Sequence, residues 1–88
     1  MVELKMMHAG GRKWHIAPKD GVSMVKWPTV EMIQNIWNSN GFTGQLIISE
    51  IHPPAPTRNW FGVRIPTGTN PRSRQPFLDA LGAHCTLA

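Results

Sequence analysis

The chain has 88 residues, enough for one domain around one modest core. A single cysteine, Cys85, excludes an internal disulfide, and no apolar run approaches the ~18 residues of a membrane-spanning helix, so folding needs neither an oxidising compartment nor a bilayer. Nine basic residues against five acids leave a net charge of +4, a balance that favours anionic partners.

The first 27 residues read as a three-stranded antiparallel meander. Val2, Leu4 and Met6 share one face of a first strand, and Trp14, Ile16 and Pro18 share one face of a second. A three-residue loop, Ala9-Gly10-Gly11, pairs Met6 with Trp14 and Leu4 with Ile16 and so brings the two apolar sets together. Asp20-Gly21 then reads as a two-residue hairpin loop that pairs Lys19 with Val22, Ile16 with Val25 and Trp14 with Trp27. The resulting inner face is apolar. The outer face carries Glu3, Lys5, Met7, Lys13, His15, Ala17, Val22, Met24 and Lys26, with Arg12 and Lys19 at the turns beside it.

A helix is predicted from about Val30 to Ser39. Thr29 suits the N-cap, Pro28 blocks upstream extension and Glu31 complements the helix dipole. Val30, Ile33, Ile36 and Trp37 recur at helical spacing. Asn40-Gly41 is the stop, with Gly41 in the left-handed position and Phe42 folding back on Trp37. Leu46 to Ile51 reads as an interior strand, because its apolar residues fall on both faces. The stretch from His52 to Asn59 has three prolines in four residues and reads as a stiff extended loop. Trp60 to Ile65 is a fifth strand, with Phe61, Val63 and Ile65 facing in and Trp60, Gly62 and Arg64 facing out. A polar, basic loop leads to a short helix from about Arg74 to Leu81, capped by Ser73 and stopped by Gly82. Residues from His84 onward are expected to fray. The sum is a single α+β domain over residues 1–88, ordered βββαββα.

Chemistry is sparse. His8, His15, His52, His84 and Cys85 show no metal-ligand spacing, and no cofactor is expected. The acids are scattered, no carboxylate pair suits general acid–base work, and there is neither a phosphate-binding loop nor a nucleophile motif, so no enzymatic activity is expected. The N-terminal stretch lacks a continuous apolar segment, which predicts no signal peptide and a cytoplasmic protein. What remains is binding. Lys5, Arg12, Lys13, His15 and Lys26 form one basic group on the meander, and Arg58, Arg64, Arg72 and Arg74 form a second. Trp60 beside Arg64 on a strand suits stacking on a base or anchoring a protein partner. Two functions follow: a small nucleic-acid-binding module using a basic sheet face, or a phage- or mobile-element-type inhibitor that binds and blocks a larger protein of a nucleic-acid-processing complex.

Overall fold

The structure, a computed structural model, describes residues 1–49, 57–66 and 74–88. The described residues form an α+β fold with two helices and two antiparallel sheets. In chain order the elements are β1 (Leu4–His8), β2 (Lys13–Pro18), β3 (Val25–Lys26), α1 (Val30–Ser39), β4 (Ile47–Ser49), β5 (Thr57–Arg58), β6 (Phe61–Arg64), α2 (Arg74–Ala83) and β7 (Thr86–Leu87). The larger sheet runs β1-β2-β6-β4 and the smaller β5-β3-β7.

β1 and β2 form the expected hairpin in a shifted register. Met6 lies opposite Ile16 and Leu4 opposite Pro18, two residues from the predicted pairing. The turn tightens over Gly10-Gly11-Arg12 instead: Lys13 N–H donates to the Gly10 carbonyl at 2.9 Å, and Gly10 and Gly11 both take positive φ. A slip of two keeps every side chain on its face. Leu4 and Ile16 are therefore buried, as the alternation requires.

The meander does not continue. β3 leaves the first sheet and pairs with β5 and β7. The Asp20 carboxylate accepts the N–H groups of Val22 and Ser23, both at 3.0 Å, and the Ser23 hydroxyl, which curls the chain out of hairpin geometry. Val22 is left exposed, and Gly21 N–H closes the turn on Pro18. The edge of β2 is taken by β6, which aligns Trp14 with Val63 and Ile16 with Phe61. β6 offers an alternating Phe61-Val63-Ile65 set, all buried, where β3 has two residues of strand. Trp14 and Trp27 are consequently not cross-strand neighbours. Trp27 lies in the core, with its Nε1–H donating to the Arg58 carbonyl at 2.9 Å and its ring edge-on to Phe61 at 4.7 Å.

α1 has the predicted bounds. Thr29 accepts the Met32 N–H at 3.2 Å, and Gly41 has φ 86°. Phe42 stacks on Trp37 with centroids 4.1 Å apart. Trp37 also meets Phe77 of α2 edge-on at 5.1 Å, so the two helices share one core with the inner face of the larger sheet. Trp27, Trp37, Phe61 and Phe77 are fully buried, each worth about 1.5–3 kcal/mol over an exposed position.

Four further expectations change, the first at Thr57–Arg58, expected as loop but a strand because it pairs with Lys26 and Val25. Among the described strands β4 stands at the edge of its sheet with Ile47 exposed, not in the interior, and Leu46 N–H donates to Gln34 Oε1 at 2.7 Å. Glu50 and Ile51, the proline stretch through Pro56, and the Ser73 cap fall outside the described residues. Gly82 does not stop α2: it is buried inside the helix, where a side chain would overlap the Val2 carbonyl oxygen. The C-terminal segment is not frayed either. Thr86–Leu87 pairs with β3, Ala88 N–H donates to Met24 at 2.9 Å, and Cys85 is buried.

Candidate nucleic-acid interface

Residues directly opposite one another in a sheet share a face. Across the larger sheet this rule gathers two predicted groups that are far apart in sequence. One row runs Lys13, Arg64, Ile47. The next runs Met7, His15, Gly62, Ser49. The third places Lys5 opposite Ala17, with Trp60 one step beyond the Ile16–Phe61 pair and so level with Ala17. This is the face turned away from the core, and Lys5, Lys13, His15, Trp60 and Arg64 all lie on it.

Lys13 and Arg64 are exposed at one side of the face, with Ile47 beside them. Gly62, between Arg64 and Trp60 on this face, leaves no open flat spot. A Cβ there would stand 2.6 Å from Ser49 Oγ, 3.7 Å from Lys13 Cε and 3.8 Å from His15 Cδ2, so neighbouring side chains cover it. His15 leans the other way onto Trp60, with ring centroids 4.4 Å apart and planes tilted by 39°. Lys5, Met7, His15, Ala17 and Trp60, with Gly21 and Asn59 from adjoining loops, line a hollow of about 450 Å³.

The other predicted residues lie elsewhere. Arg12 sits in the β1–β2 loop next to Lys13, and its carbonyl accepts the Ile65 N–H at 2.9 Å. Lys26 and Arg58 belong to the smaller sheet, opposite Thr57 and Val25 respectively. Val22 and Met24, expected on the outer face, precede β3 and leave with it. Arg74 opens α2 and lies over the Trp14 ring at 3.9 Å. Trp14 alternates with Lys13 and His15, so Arg74 meets it on the opposite face of the sheet. Burial lowers the Arg74 guanidinium from its ordinary value, though an arginine remains a cation at neutral pH. Arg72 lies outside the described residues.

Sequence reasoning missed Ala17 and Asn59. Ala17 falls on the predicted outer face with no role there, and it is the small residue between Lys5 and Trp60 that leaves the hollow open. Asn59 reads as loop, yet its Nδ2 donates to the Gly21 carbonyl at 3.3 Å and ties the start of β6 to the turn after β2. That turn is held by Asp20, whose carboxylate stays below its usual range because it accepts from the Ser23 hydroxyl and then from the Ser23 and Val22 amides. His8, which the sequence shows only as lacking metal-ligand spacing, packs against Trp14 at 4.8 Å on the Arg74 side.

Among the described residues no group of three or more His, Cys, Asp or Glu is placed to hold a metal ion, and no helix is long and apolar enough to cross a membrane. The Cys85 thiol donates to the Leu81 carbonyl at 3.2 Å, and burial pushes its pKa up to about 12, which disfavours the nucleophilic thiolate. Compared with protein-family models, curated proteins and solved structures, the chain gives no significant match.

Proposed function

We propose that this protein binds single-stranded nucleic acid on the outward face of its larger sheet. The observation that carries the reading is the meeting of Lys5, Lys13 and Arg64 with the His15–Trp60 ring pair on one face. Cations attract the phosphate backbone without regard to sequence, and aromatic rings stack on bases that are not already paired. A duplex hides its base faces, so an open strand uses both features at once.

The positions separate the charges that should matter from those that should not. Changing Lys13 and Arg64 together to Ala is expected to weaken binding to unrelated single strands. It should also reduce the log–log salt slope by about 1.4, at roughly 0.7 for each single-strand phosphate no longer neutralised. Lys26→Ala, on the smaller sheet, should leave both affinity and slope near wild type. The reading is abandoned if wild-type protein binds no single-stranded DNA or RNA at ~50 mM salt, where the electrostatic contribution is strong.

A second reading, the blocking of a larger protein, draws support from Ile47 and Met7. Both are exposed, at 60% and 39%, on the same face as Arg64 and Trp60. An apolar and aromatic patch with an arginine suits a protein interface. A protein that co-purifies after complete nuclease treatment, and no longer does so when Ile47 is changed to Asp, would place this reading first.

A further inference from the structure

We infer that the hollow above Ala17 is a pocket for one nucleobase, turned out of the bound strand and laid against Trp60. This rests on the single-strand reading and adds to it a site with a defined ligand. The sheet rows explain why the hollow exists. In the row Lys5–Ala17–Trp60 a methyl group stands between two long side chains, and the space above it stays open. Its volume of about 450 Å³ falls within the ≈ 300–1,000 Å³ typical of small-molecule sites.

The lining suits a flat heterocycle with a polar edge. Trp60 and His15 provide ring surfaces, and Met7 provides a thioether, which packs well on aromatic rings. Lys5 supplies donors. Its ammonium lies at the Gly21 side of the hollow, where a Cβ on Gly21 would be 3.7 Å from Nζ. Asn59 lines the hollow beside Gly21. Its amide nitrogen must be the atom facing the Gly21 carbonyl, because two acceptors do not bond, and its carboxamide oxygen is then directed away from Gly21. Every nucleobase edge carries acceptors, and the Lys5 ammonium is a donor placed to meet one.

The pocket is also held in shape. Gly21 N–H bonds Pro18 at 2.9 Å, Asp20 fixes Val22 and Ser23, and Asn59 links this turn to β6. A preformed site avoids an ordering cost on binding. Lys13 and Arg64 are not among its lining residues, so their share of the strand charge is separable from base capture by mutation, whereas Lys5 belongs to both.

The test compares two probes of equal length on the full chain: a pyrimidine oligodeoxynucleotide and the same sugar–phosphate chain carrying no bases. Wild-type protein is expected to bind the first about 5- to 150-fold more tightly, the range for stacking of one base. Ala17→Leu, which fills the hollow, should bring the two affinities together and leave the salt slope unchanged. Trp60→Ala should do the same, and it serves in place of Ala17→Leu if circular dichroism shows that the leucine variant is unfolded. If these variants, shown to be folded, keep the full preference for the base-bearing strand, the pocket assignment is overturned while the single-strand reading stands. If neither probe binds wild type, both fall. Displacement of the oligonucleotide by an equal concentration of mononucleotide overturns the assignment to a strand base in favour of free nucleotide.

Discussion

Replacing Gly82 by Ala separates two physical accounts by sign. Gly82 has a helical backbone within α2, and glycine in a helix interior is about 1 kcal/mol less favourable than alanine. Local propensity alone therefore makes Gly82→Ala stabilising. The structure gives the opposite answer, because the new methyl would overlap the carbonyl oxygen of Val2, a backbone atom with no side-chain rotation to relieve it. Val2 N–H also donates to the Gly82 carbonyl at 3.1 Å, so pushing the segments apart strains a buried backbone bond. Overpacking costs about 1–3 kcal/mol and the hydrogen bond about 0.5–1.5. Subtracting the propensity gain leaves a net loss of about 0.5–3.5 kcal/mol, or roughly 2–28 °C in the thermal midpoint of a domain this size. Thermal and urea unfolding followed by circular dichroism measure it. The control is a chain lacking residues 1–3, restarted at a methionine before Leu4. There the same substitution should be neutral or stabilising by up to about 1 kcal/mol. An equal loss in both backgrounds would show that Val2 is not the obstruction, and a stabilised full-length variant would refute the close packing itself.

Gly41→Ala should cost about 1–2 kcal/mol, since φ 86° puts an L side chain in the disfavoured left-handed region; an unchanged urea midpoint would contradict that backbone. Cys85 should resist thiol reagents at pH 8 in the folded protein and react on unfolding; rapid labelling of native protein would show an open thiol. Its alkaline linkage has a fixed sign. The unfolded thiol ionises near 9.0 and the folded one at about 12, so the unfolded state holds fewer protons in between and stability falls as pH rises from about 9 to 12. Cys85→Ala should flatten that fall, and parallel pH profiles for the two proteins would exclude Cys85 as a contributor.

What is legible in the sequence follows the range of the interactions involved. α1 is readable to its ends because Thr29, Asn40, Gly41 and the Trp37–Phe42 stack all act within about one turn. The faces of β1 and β2 are readable while their register is not, because alternation constrains parity and a slip of two preserves it. β3 is misplaced by local reasoning because Asp20-Gly21 supports either a hairpin loop or a side-chain-stabilised turn, and the choice depends on β6, far along the chain. Gly82 misleads because its neighbour Val2 lies at the other end of the sequence. The candidate face shows the same division. Lys5, Lys13 and His15 come from one local argument, and Trp60 and Arg64 from another. Nothing local says that β2 and β6 are adjacent, which is why Lys26 falls in with the first set and the hollow at Ala17 goes unseen.

The long reach of the β2–β6 pairing has a consequence for biogenesis. Phe61 follows Pro18 by 43 residues, which a ribosome adding ~5–20 residues per second takes about 2–9 s to make. Through that interval the β1–β2 hairpin can close, since its loop is local, but one edge of β2 has no strand beside it. That edge presents His15 and a row of open amides and carbonyls, the kind of template on which nascent chains of a crowded polysome pair with one another. The lysines flanking it, Lys13 at its start and Lys19 just past its end, are well placed to hold identical chains apart by like charge until β6 emerges.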